Sequence, residues 1–425
     1  MGREEGIDCC LSQKGGSELV MTDLRNYVLV TGAYWGFTLT DGALRMLVLL
    51  HFYERGYGAV QIAFLFLLYE FFGIVTNLIG GWIGSHLGLK VTLIGGLSLQ
   101  IIALSALAML DPTWPPFFSV GYVMGLQALS GIAKDLTKMS SKSAIKVLLP
   151  KGADSTLFKW VAILTGSKNS LKGIGFFLGG LLLTTVGFKF SLFLMAAGLV
   201  IILLSTLISL PHEIGMAQKK TKFSAILSKS REINLLSAAR LFLFGSRDVW
   251  FVVGLPIFLS ASLGWSHTEV GGFLALWVIG YGGIQAFAPR LLKSVLGDNT
   301  PRGGTASVGA FTLAGLTTLI AIGVMQNLSP WITVVAGLAL FGLIFAVNSS
   351  VHSYLILVYT KHDDVALNVG FYYMANAAGR LVGTLLSGIV FQIAGLVGCL
   401  WVSAGFVLLA GGISLLLPQG KQLSS

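Results

Sequence analysis

The sequence predicts an all-α membrane protein with twelve transmembrane helices arranged as two six-helix bundles. Of its 425 residues, 55% are hydrophobic and 11% are charged, whereas soluble domains carry about 25% charged residues. Apolar runs of about 20 residues recur along the chain, and such a run is long enough to cross a bilayer as a helix. A repeat between the two halves of the chain indicates the two bundles.

The apolar runs form two sets of six. The first set is predicted near 27–50, 60–84, 91–110, 117–141, 155–186 and 190–210, and the second near 234–259, 268–290, 304–325, 331–358, 365–391 and 395–417. The predicted segments are an N-terminal cytoplasmic tail (1–26), an N-terminal bundle (27–210), a cytoplasmic linker (211–233), a C-terminal bundle (234–418) and a C-terminal tail (419–425). The first of these lacks an apolar core, so no cleavable signal peptide is expected.

The positions of lysine and arginine in the loops predict the orientation. With both termini in the cytoplasm, the outer loops hold only Arg55 and Lys189, and the inner segments hold the other loop cations. Cytoplasmic loops of membrane proteins carry such an excess of positive charge. We therefore expect a bacterial-type inner (plasma) membrane protein with both termini inside. Much of its net charge of +10 therefore reflects this topology and does not indicate a nucleic-acid surface.

An internal repeat links the two halves. LKGIGFFLGG (171–180) aligns with GRLVGTLLSG (379–388) at an offset of 208, which pairs Lys172 with Arg380. GGWIGSHLG aligns with APRLLKSVLG at 209, and Asp41 and Asp248 are 207 residues apart. Parallel repeats of this kind are typical of transporters that bind their substrate between the halves, near the bilayer midplane.

Ionisable side chains inside the predicted spans mark a candidate binding site. Five bases and three acids lie nearest the midplane: Arg45, Lys168, Lys172, Arg247 and Arg380 against Asp41, Glu70 and Asp248. Each costs about 2.5–3.5 kcal/mol to insert unless it faces a partner or a water-filled cavity. The surplus of two positive charges predicts a central site for an anion.

Two pairs of these residues share a helical spacing of four. Asp41 and Arg45 are expected to lie on one helix face, either as a structural ion pair or as part of the site. Lys168 and Lys172 have the same spacing, but like charges repel. An anion between them resolves the repulsion, and it is either a carboxylate of a neighbouring helix, Glu70 or Asp135, or a bound phosphate-like oxyanion. The shortage of acids favours the oxyanion.

Arg380 occupies the position that the repeat assigns to Lys172, so each half would contribute one cation to the cavity. A planar guanidinium suits two-pronged binding of a phosphoryl or carboxylate group. Arg247 and Asp248 are adjacent and are expected to point in different directions, each towards its own partner. The predicted substrate-binding residues are Lys168, Lys172, Arg247, Arg380 and Arg45.

The stretch GIAKDLTKMSSKSAIK places lysines at 134, 138, 142 and 146. At 1.5 Å per residue they form a slanting stripe roughly 18 Å long. The orientation signal explains part of this stripe. A funnel of positive potential would also concentrate a cytosolic anion, so Lys134, Lys138 and Lys142 are predicted to form a cytoplasmic entrance.

Glu70 lies among aromatic residues in LLYEFFG, with no cation within a helical turn. Because burial disfavours the charged form of a carboxyl group, Glu70 is the first candidate for proton coupling, followed by Asp41 and Asp248. The alternative role for each is a static counter-ion. The histidines form no metal-ligand cluster, and we find no nucleophile–base pair, so we expect no metal, no cofactor and no enzymatic activity. We expect a monomer in the lipid bilayer with an anionic small-molecule substrate.

GGWIGSHLGLK, between the second and third spans, resembles the signature loop of the major facilitator superfamily. Gly81, Gly88 and Lys90 match that signature, whereas Ser85 and His86 stand where the superfamily usually has Asp and Arg. The resemblance implies the fold of that superfamily.

Four longer strings resemble the organoarsenical efflux permeases of arsenic operons (ArsJ-type): NYVLVTGAYWGFTLTDGALRMLVLLHFY, YEFFGIVTNLIGGW, QALSGIAKDLTKMSSKS and FKWVAILTGSKNSLKG. This resemblance implies export of 1-arseno-3-phosphoglycerate, which forms when glyceraldehyde-3-phosphate dehydrogenase uses arsenate in place of phosphate. It also implies arsenate resistance and a functional link to that dehydrogenase.

The arseno-ester carries an oxyanion at each end, so one end would bind Lys168 and Lys172 and the other Arg247 and Arg380. An alternative is an antiporter of another organophosphate or of inorganic phosphate. A proton-coupled drug exporter is a further alternative, and it would be expected to have a net acidic cavity.

Overall fold

The computed structural model describes residues 5–87, 89–148, 154–210, 230–296, 301–360 and 365–418. Every regular element in these ranges is a helix: α1 (Glu5–Glu54), α2 (Ala59–Leu65), α3 (Leu67–Leu87), α4 (Leu89–Leu107), α5 (Pro116–Leu148), α6 (Asp154–Ser209), α7 (Arg231–Phe251), α8 (Gly254–Leu263), α9 (His267–Leu296), α10 (Gly303–Met325), α11 (Pro330–Val358) and α12 (Val365–Leu415). The helix α1 begins inside the predicted N-terminal tail, and α7 begins inside the predicted linker. The rest of that linker (211–229) and the C-terminal tail (419–425) lie outside the described residues.

Within the described ranges, nine stretches are long and apolar enough to cross a membrane. Two of them, in α6 and α12, contain 43 and 48 residues. At 1.5 Å per residue each exceeds 60 Å, about twice the thickness of a bilayer core. Gly187 (φ 76°) and Gly395 (φ 61°) interrupt these two helices with a backbone conformation that glycine adopts without strain. Each long helix therefore consists of two segments that meet at a glycine.

The backbone repeats with the offset found in the sequence. Gly187 and Gly395 are 208 residues apart. Gly56 and Gly264, which also have positive φ, are separated by the same 208 residues. The helices that follow them, α2 and α9, likewise begin 208 residues apart. Corresponding turns thus occur at corresponding positions of the two halves.

Close helix contacts position the central residues. The helix α6 lies along α1, and α12 lies along α7. A Cβ atom on Gly175 would lie 2.5 Å from a carbonyl oxygen of α1, and one on Gly383 would lie 2.7 Å from a carbonyl oxygen of α7. These glycines, which the repeat pairs with each other, bring α6 and α12 against the helices that carry Asp41 and Asp248. Contacts of α3 with α12 and of α6 with α9 join the two halves.

Lys90, which matches the signature loop of the major facilitator superfamily, joins the start of α4 to the end of α6. Its side chain is buried, and its ammonium donates to the carbonyl oxygens of Leu207, at 3.3 Å, and Leu210. These carbonyls belong to the last turn of α6 and the residue that follows it. A cation there balances the negative end of the helix dipole, so Lys90 fixes the start of α4 against the end of α6.

Candidate functional site

Two adjoining cavities lie at the centre of the helix assembly. The first, of about 140 Å³, lies between α1, α3, α5, α6 and α12. The second, of about 200 Å³, lies between α1, α6, α7, α9, α11 and α12. Both are lined by Lys168, Lys172, Tyr373, Asn376 and Arg380. The two cations that the repeat equates, Lys172 and Arg380, therefore lie where the cavities meet.

Glu70 is the centre of an ion cluster that connects the two halves. It is fully buried one turn after α3 begins. Its Oε1 accepts hydrogen bonds from Arg45 at 2.5 Å and from Arg380 at 2.6 Å. No cation lies within a helical turn of Glu70 in the sequence, and the two arginines reach it instead from α1 and α12. This environment favours the alternative role, a fixed counter-ion.

Asp248 holds a second part of the cluster. Its Oδ1 accepts from Arg247 at 2.6 Å, and its Oδ2 accepts from Arg380 at 3.3 Å. The expectation that Arg247 and Asp248 point apart is wrong, since the long arginine side chain bends back to its neighbour. Arg380 thus binds Glu70 on α3 and Asp248 on α7, one carboxylate from each half.

Asp41 has a different partner from the one expected. Its Oδ1 accepts a hydrogen bond from the Tyr69 hydroxyl at 2.6 Å. Arg45 turns instead to Glu70, so the predicted Asp41–Arg45 ion pair does not form. No ion pair of Asp41 occurs among the residues that the structure describes. Asp41 lines the first cavity at 6% exposure.

Two lysines of the predicted entrance line the first cavity. Lys134 lies 3.9 Å from the buried carboxylate of Asp135, and Lys138 lies 3.2 Å from it. Lys138 also donates to Asn77 at 2.7 Å, and the Lys134 ammonium lies over the Tyr69 ring at 4.1 Å. Lys142 and Lys146 belong to α5, but their side chains lie outside what the structure describes.

Two cations of the second cavity, Lys172 and Arg240, form no ion pair with a carboxylate of the described residues. Lys172 contacts the Phe176 ring, with its ammonium 5.7 Å from the centroid. Arg240 donates to Ser349 at 3.0 Å and to Asn376 at 3.2 Å, and both acceptors are uncharged. Sequence reasoning did not include Arg240 in the site, although its place inside the 234–259 span was a usable signal.

The charges around the cavities are strongly unbalanced. Among the described residues there, eight cations face four carboxylates: Arg45, Lys134, Lys138, Lys168, Lys172, Arg240, Arg247 and Arg380 against Asp41, Glu70, Asp135 and Asp248. The surplus of four exceeds the two expected from the sequence. Such a surplus in a buried site favours a bound anion with more than one negative charge.

One edge of the assembly, which carries the turns at Gly56 and Gly264, is held together by contacts between the halves. Gln392 Oε1 on α12 accepts the backbone N–H of Val60 on α2 at 3.3 Å. His267 on α9 lies 3.4 Å from Glu54 at the end of α1. Under the offset of 208, α2 corresponds to α9 and this part of α12 corresponds to α6, so the counterpart of the α2–α12 contact is the contact between α6 and α9.

The described residues contain no group of three or more histidine, cysteine, aspartate or glutamate side chains placed to hold a metal ion. Besides the carboxylates, the polar groups that converge on the cavities are ammonium, guanidinium, amide and hydroxyl groups. This set can neutralise and orient an anion.

Comparisons with known proteins identify the fold. No protein-family model and no curated protein matches the sequence. A POT family transporter in complex with 5-aminolevulinic acid superposes with a TM-score of 0.68 at 15% identity, over 92% of this chain and 95% of that one. A POT family transporter in complex with a thioalcohol-conjugated peptide gives a TM-score of 0.66 at 16% identity, with the same coverage. The chain therefore shares the all-helical fold of these two transporters.

Proposed function

We propose that this protein is a membrane transporter that carries a small organic oxyanion through its central cavities by alternating access. The observation that carries the proposal is the excess of eight cations over four carboxylates around those cavities. A protein that bound no anion there would keep several buried positive charges without compensation. The fold that the chain shares with solved transporters supports the same conclusion.

Twelve spans in two six-helix bundles form the proposed architecture. Several features support it: α6 and α12 each have the length of two spans, and the apolar stretches that join α2 to α3 and α7 to α8 each have the length of one. The bundles are 27–210 and 234–418, related by the offset of 208. Both termini lie in the cytoplasm in this proposal, because the described and predicted loops follow the positive-inside rule.

The substrate that we favour is 1-arseno-3-phosphoglycerate, exported from the cytosol with arsenate resistance as the result. The four sequence strings that resemble organoarsenical permeases support it. The two cavities also suit a compact ligand with an oxyanion at each end, since Lys172 and Arg380 lie where they meet and Arg240 and Arg247 line the second. Such an exporter would act after glyceraldehyde-3-phosphate dehydrogenase. Another organophosphate or inorganic phosphate shares this chemistry, and the net positive cavity disfavours a cationic drug.

A second candidate function is transport of a small molecule that carries both an amino and a carboxylate group. Asp41 supports it, because its carboxylate faces the first cavity and has no ion pair among the described residues. It could accept an ammonium group while the cations bind a carboxylate. A structural neighbour was solved with 5-aminolevulinic acid, a molecule of this kind.

For the oxyanion exporter, Asp41 is the preferred proton-coupling carboxylate. Glu70 and Asp248 are each held by two guanidinium groups, so protonation would break two ion pairs. Asp41 is held by the Tyr69 hydroxyl, which can hydrogen-bond to either protonation state of the carboxyl group. Asp41 therefore replaces Glu70 as the first candidate for the proton-coupling carboxylate.

Lys172→Gln tests the oxyanion proposal most directly, because this change breaks no ion pair among the described residues. Everted membrane vesicles would be assayed for uptake of the synthesised arseno-ester, with glycerol phosphate, inorganic phosphate and 5-aminolevulinic acid as competing substrates. Loss of one charge-assisted hydrogen bond, about 1.5–3 kcal/mol, predicts a 10- to 150-fold loss of transport efficiency. The control is Lys189→Gln, which removes an exposed lysine of α6 close to the Gly187 turn.

If the Lys172→Gln protein is present in the membrane at the wild-type level and takes up the arseno-ester unchanged, the substrate anion does not bind at Lys172. Uptake of phosphate or glycerol phosphate in preference to the arseno-ester would support the oxyanion site and reject the arsenical. Uptake of 5-aminolevulinic acid that is lost in Asp41→Asn would support the second candidate function. A proton ionophore that leaves arseno-ester uptake unchanged would contradict the role given to Asp41.

A further inference from the structure

An apolar groove lies on the outer surface of the helix assembly, away from the central cavities. It has a volume of about 530 Å³ and lies between the last turns of α9, the first turns of α10 and the middle of α11. Leu291, Val308 and Leu343, one from each helix, are 43%, 67% and 42% exposed. The volume is that of a small-molecule site, about 300–1,000 Å³. Because these helices are membrane spans, the medium that faces this groove is lipid.

Small side chains and a close helix contact create the groove. Gly304, Thr305 and Gly309 form its α10 side. A Cβ atom on Gly309 would lie 3.0 Å from Asn348 Cγ, so the glycine permits α11 to approach. The Asn348 amide, suitably oriented, hydrogen-bonds within 3.2 Å to the α10 backbone at Ala306 and Ala310. The polar atoms of this contact are thus satisfied inside the helix pair, and the surface left to a ligand is apolar.

Positive charge marks one end of the groove. Arg290 precedes the first α9 residue of the groove, and Arg302 precedes α10 by one residue; both are exposed. The Arg290 guanidinium lies 5.7 Å from the centroid of the Phe287 ring, at the same end of α9. The N-terminus of α10 adds the positive end of a helix dipole. An apolar channel with cations at its membrane edge is complementary to an acyl chain with an anionic headgroup.

We propose that this groove binds an anionic phospholipid, with an acyl chain between α9, α10 and α11 and the phosphate at Arg290 and Arg302. The site is independent of the transported substrate. An apolar helix from a second protein copy would also cover the groove, but it would bring no anionic group to the two arginines at its edge. The phospholipid accounts for both the apolar groove and the charge.

The test uses the purified full-length protein in detergent micelles, with phosphatidylglycerol or phosphatidylcholine of identical acyl chains as the probe. Native mass spectrometry measures retained lipid. We expect preferential retention of phosphatidylglycerol. Each arginine near the surface contributes about 1 kcal/mol, so Arg290→Gln with Arg302→Gln should weaken phosphatidylglycerol binding about 30-fold. Arg55→Gln, an exposed arginine at the opposite edge, is the matched control and should change nothing.

A second variant tests the groove itself. Val308→Trp should fill it and reduce retention of both lipids, whereas Leu319→Trp, equally exposed on α10 but outside the groove, should not. Equal retention of the two lipids would overturn the headgroup assignment. Full binding by Val308→Trp would overturn the groove assignment. A loss in Arg55→Gln as large as in the double variant would show general surface electrostatics and would also overturn the proposal.

Discussion

Replacement of Glu70 by glutamine would remove the carboxylate that joins the two halves. Its Oε1 bonds to Arg45 at 2.5 Å and to Arg380 at 2.6 Å, and the side chain is 0% exposed. Glu70→Gln keeps the size and shape of the side chain but leaves both guanidiniums without this anion. The surplus of positive charge around the cavities then rises from four to five.

The expected loss of stability follows from the two ion pairs. At an effective dielectric constant of about 20, opposite charges ~4 Å apart attract by roughly 4 kcal/mol. Glu70 makes two such pairs, and glutamine loses both attractions. Glutamine also avoids the cost of burying a negative charge, which offsets part of that loss. Removal of one partner from a buried ion pair costs about 3–5 kcal/mol. We therefore expect Glu70→Gln to lower the free energy of unfolding by about that amount.

Thermal unfolding of the detergent-purified protein, followed by tryptophan fluorescence with and without an organophosphate, is the assay. An anion at 100 times its dissociation constant stabilises by about 2.7 kcal/mol. It should therefore restore much of the loss in Glu70→Gln. At equal anion concentration this variant should shift more than the wild type, because its larger surplus of positive charge binds the anion more tightly. Glu54→Gln removes a half-exposed carboxylate and is the control, with an expected change of about 0–1 kcal/mol. A Glu70→Gln protein that unfolds at the wild-type temperature, with or without the anion, would refute the reasoning.

Two further predictions concern packing and can be measured by the same unfolding assay. Gly383→Ala should lower stability by about 1–3 kcal/mol, because its Cβ would lie 2.7 Å from the carbonyl oxygen of Gly245 and 2.9 Å from Asp248 Cβ. Gly412→Ala, with nothing within 4 Å, should be neutral or stabilising, and equal effects of the two changes would contradict this packing. His352→Leu should raise the unfolding temperature, since both ring nitrogens of this buried residue lack hydrogen-bond partners among the described residues. A lower unfolding temperature would show that a partner holds the imidazole.

Much of the fold could be predicted from the sequence because hydropathy and repetition are local properties of the chain. Apolar runs predicted helices over the stretches that are long and apolar enough to cross a membrane, and the offset of 208 is also the spacing of the glycine turns Gly56/Gly264 and Gly187/Gly395. The start of α1 could not be predicted in this way. Its helix begins at Glu5, in a polar segment that hydropathy assigned to a tail.

The ion pairs could not be predicted, because they are contacts between helices. Spacing along one helix brought Asp41 and Arg45 together, yet Arg45 is long enough to reach Glu70 on α3. Adjacent residues were assumed to diverge, yet Arg247 bends onto Asp248. Spacing within a helix restricts which residues can meet, but side-chain length and the neighbouring helix decide which contact forms.

The same limitation explains why the sequence underestimated the charge of the site. A criterion of depth excludes a residue that lies away from the middle of its predicted span, although a long side chain can still reach the centre. Lys134 and Lys138 line the first cavity and Arg240 the second, and Asp135 alone adds a compensating charge. Depth in the bilayer thus sets the free-energy cost of inserting a charged side chain, whereas contact with the cavity determines whether that side chain can bind a ligand. Counting by contact doubles the surplus and makes a multiply charged anion a better match than a monovalent one.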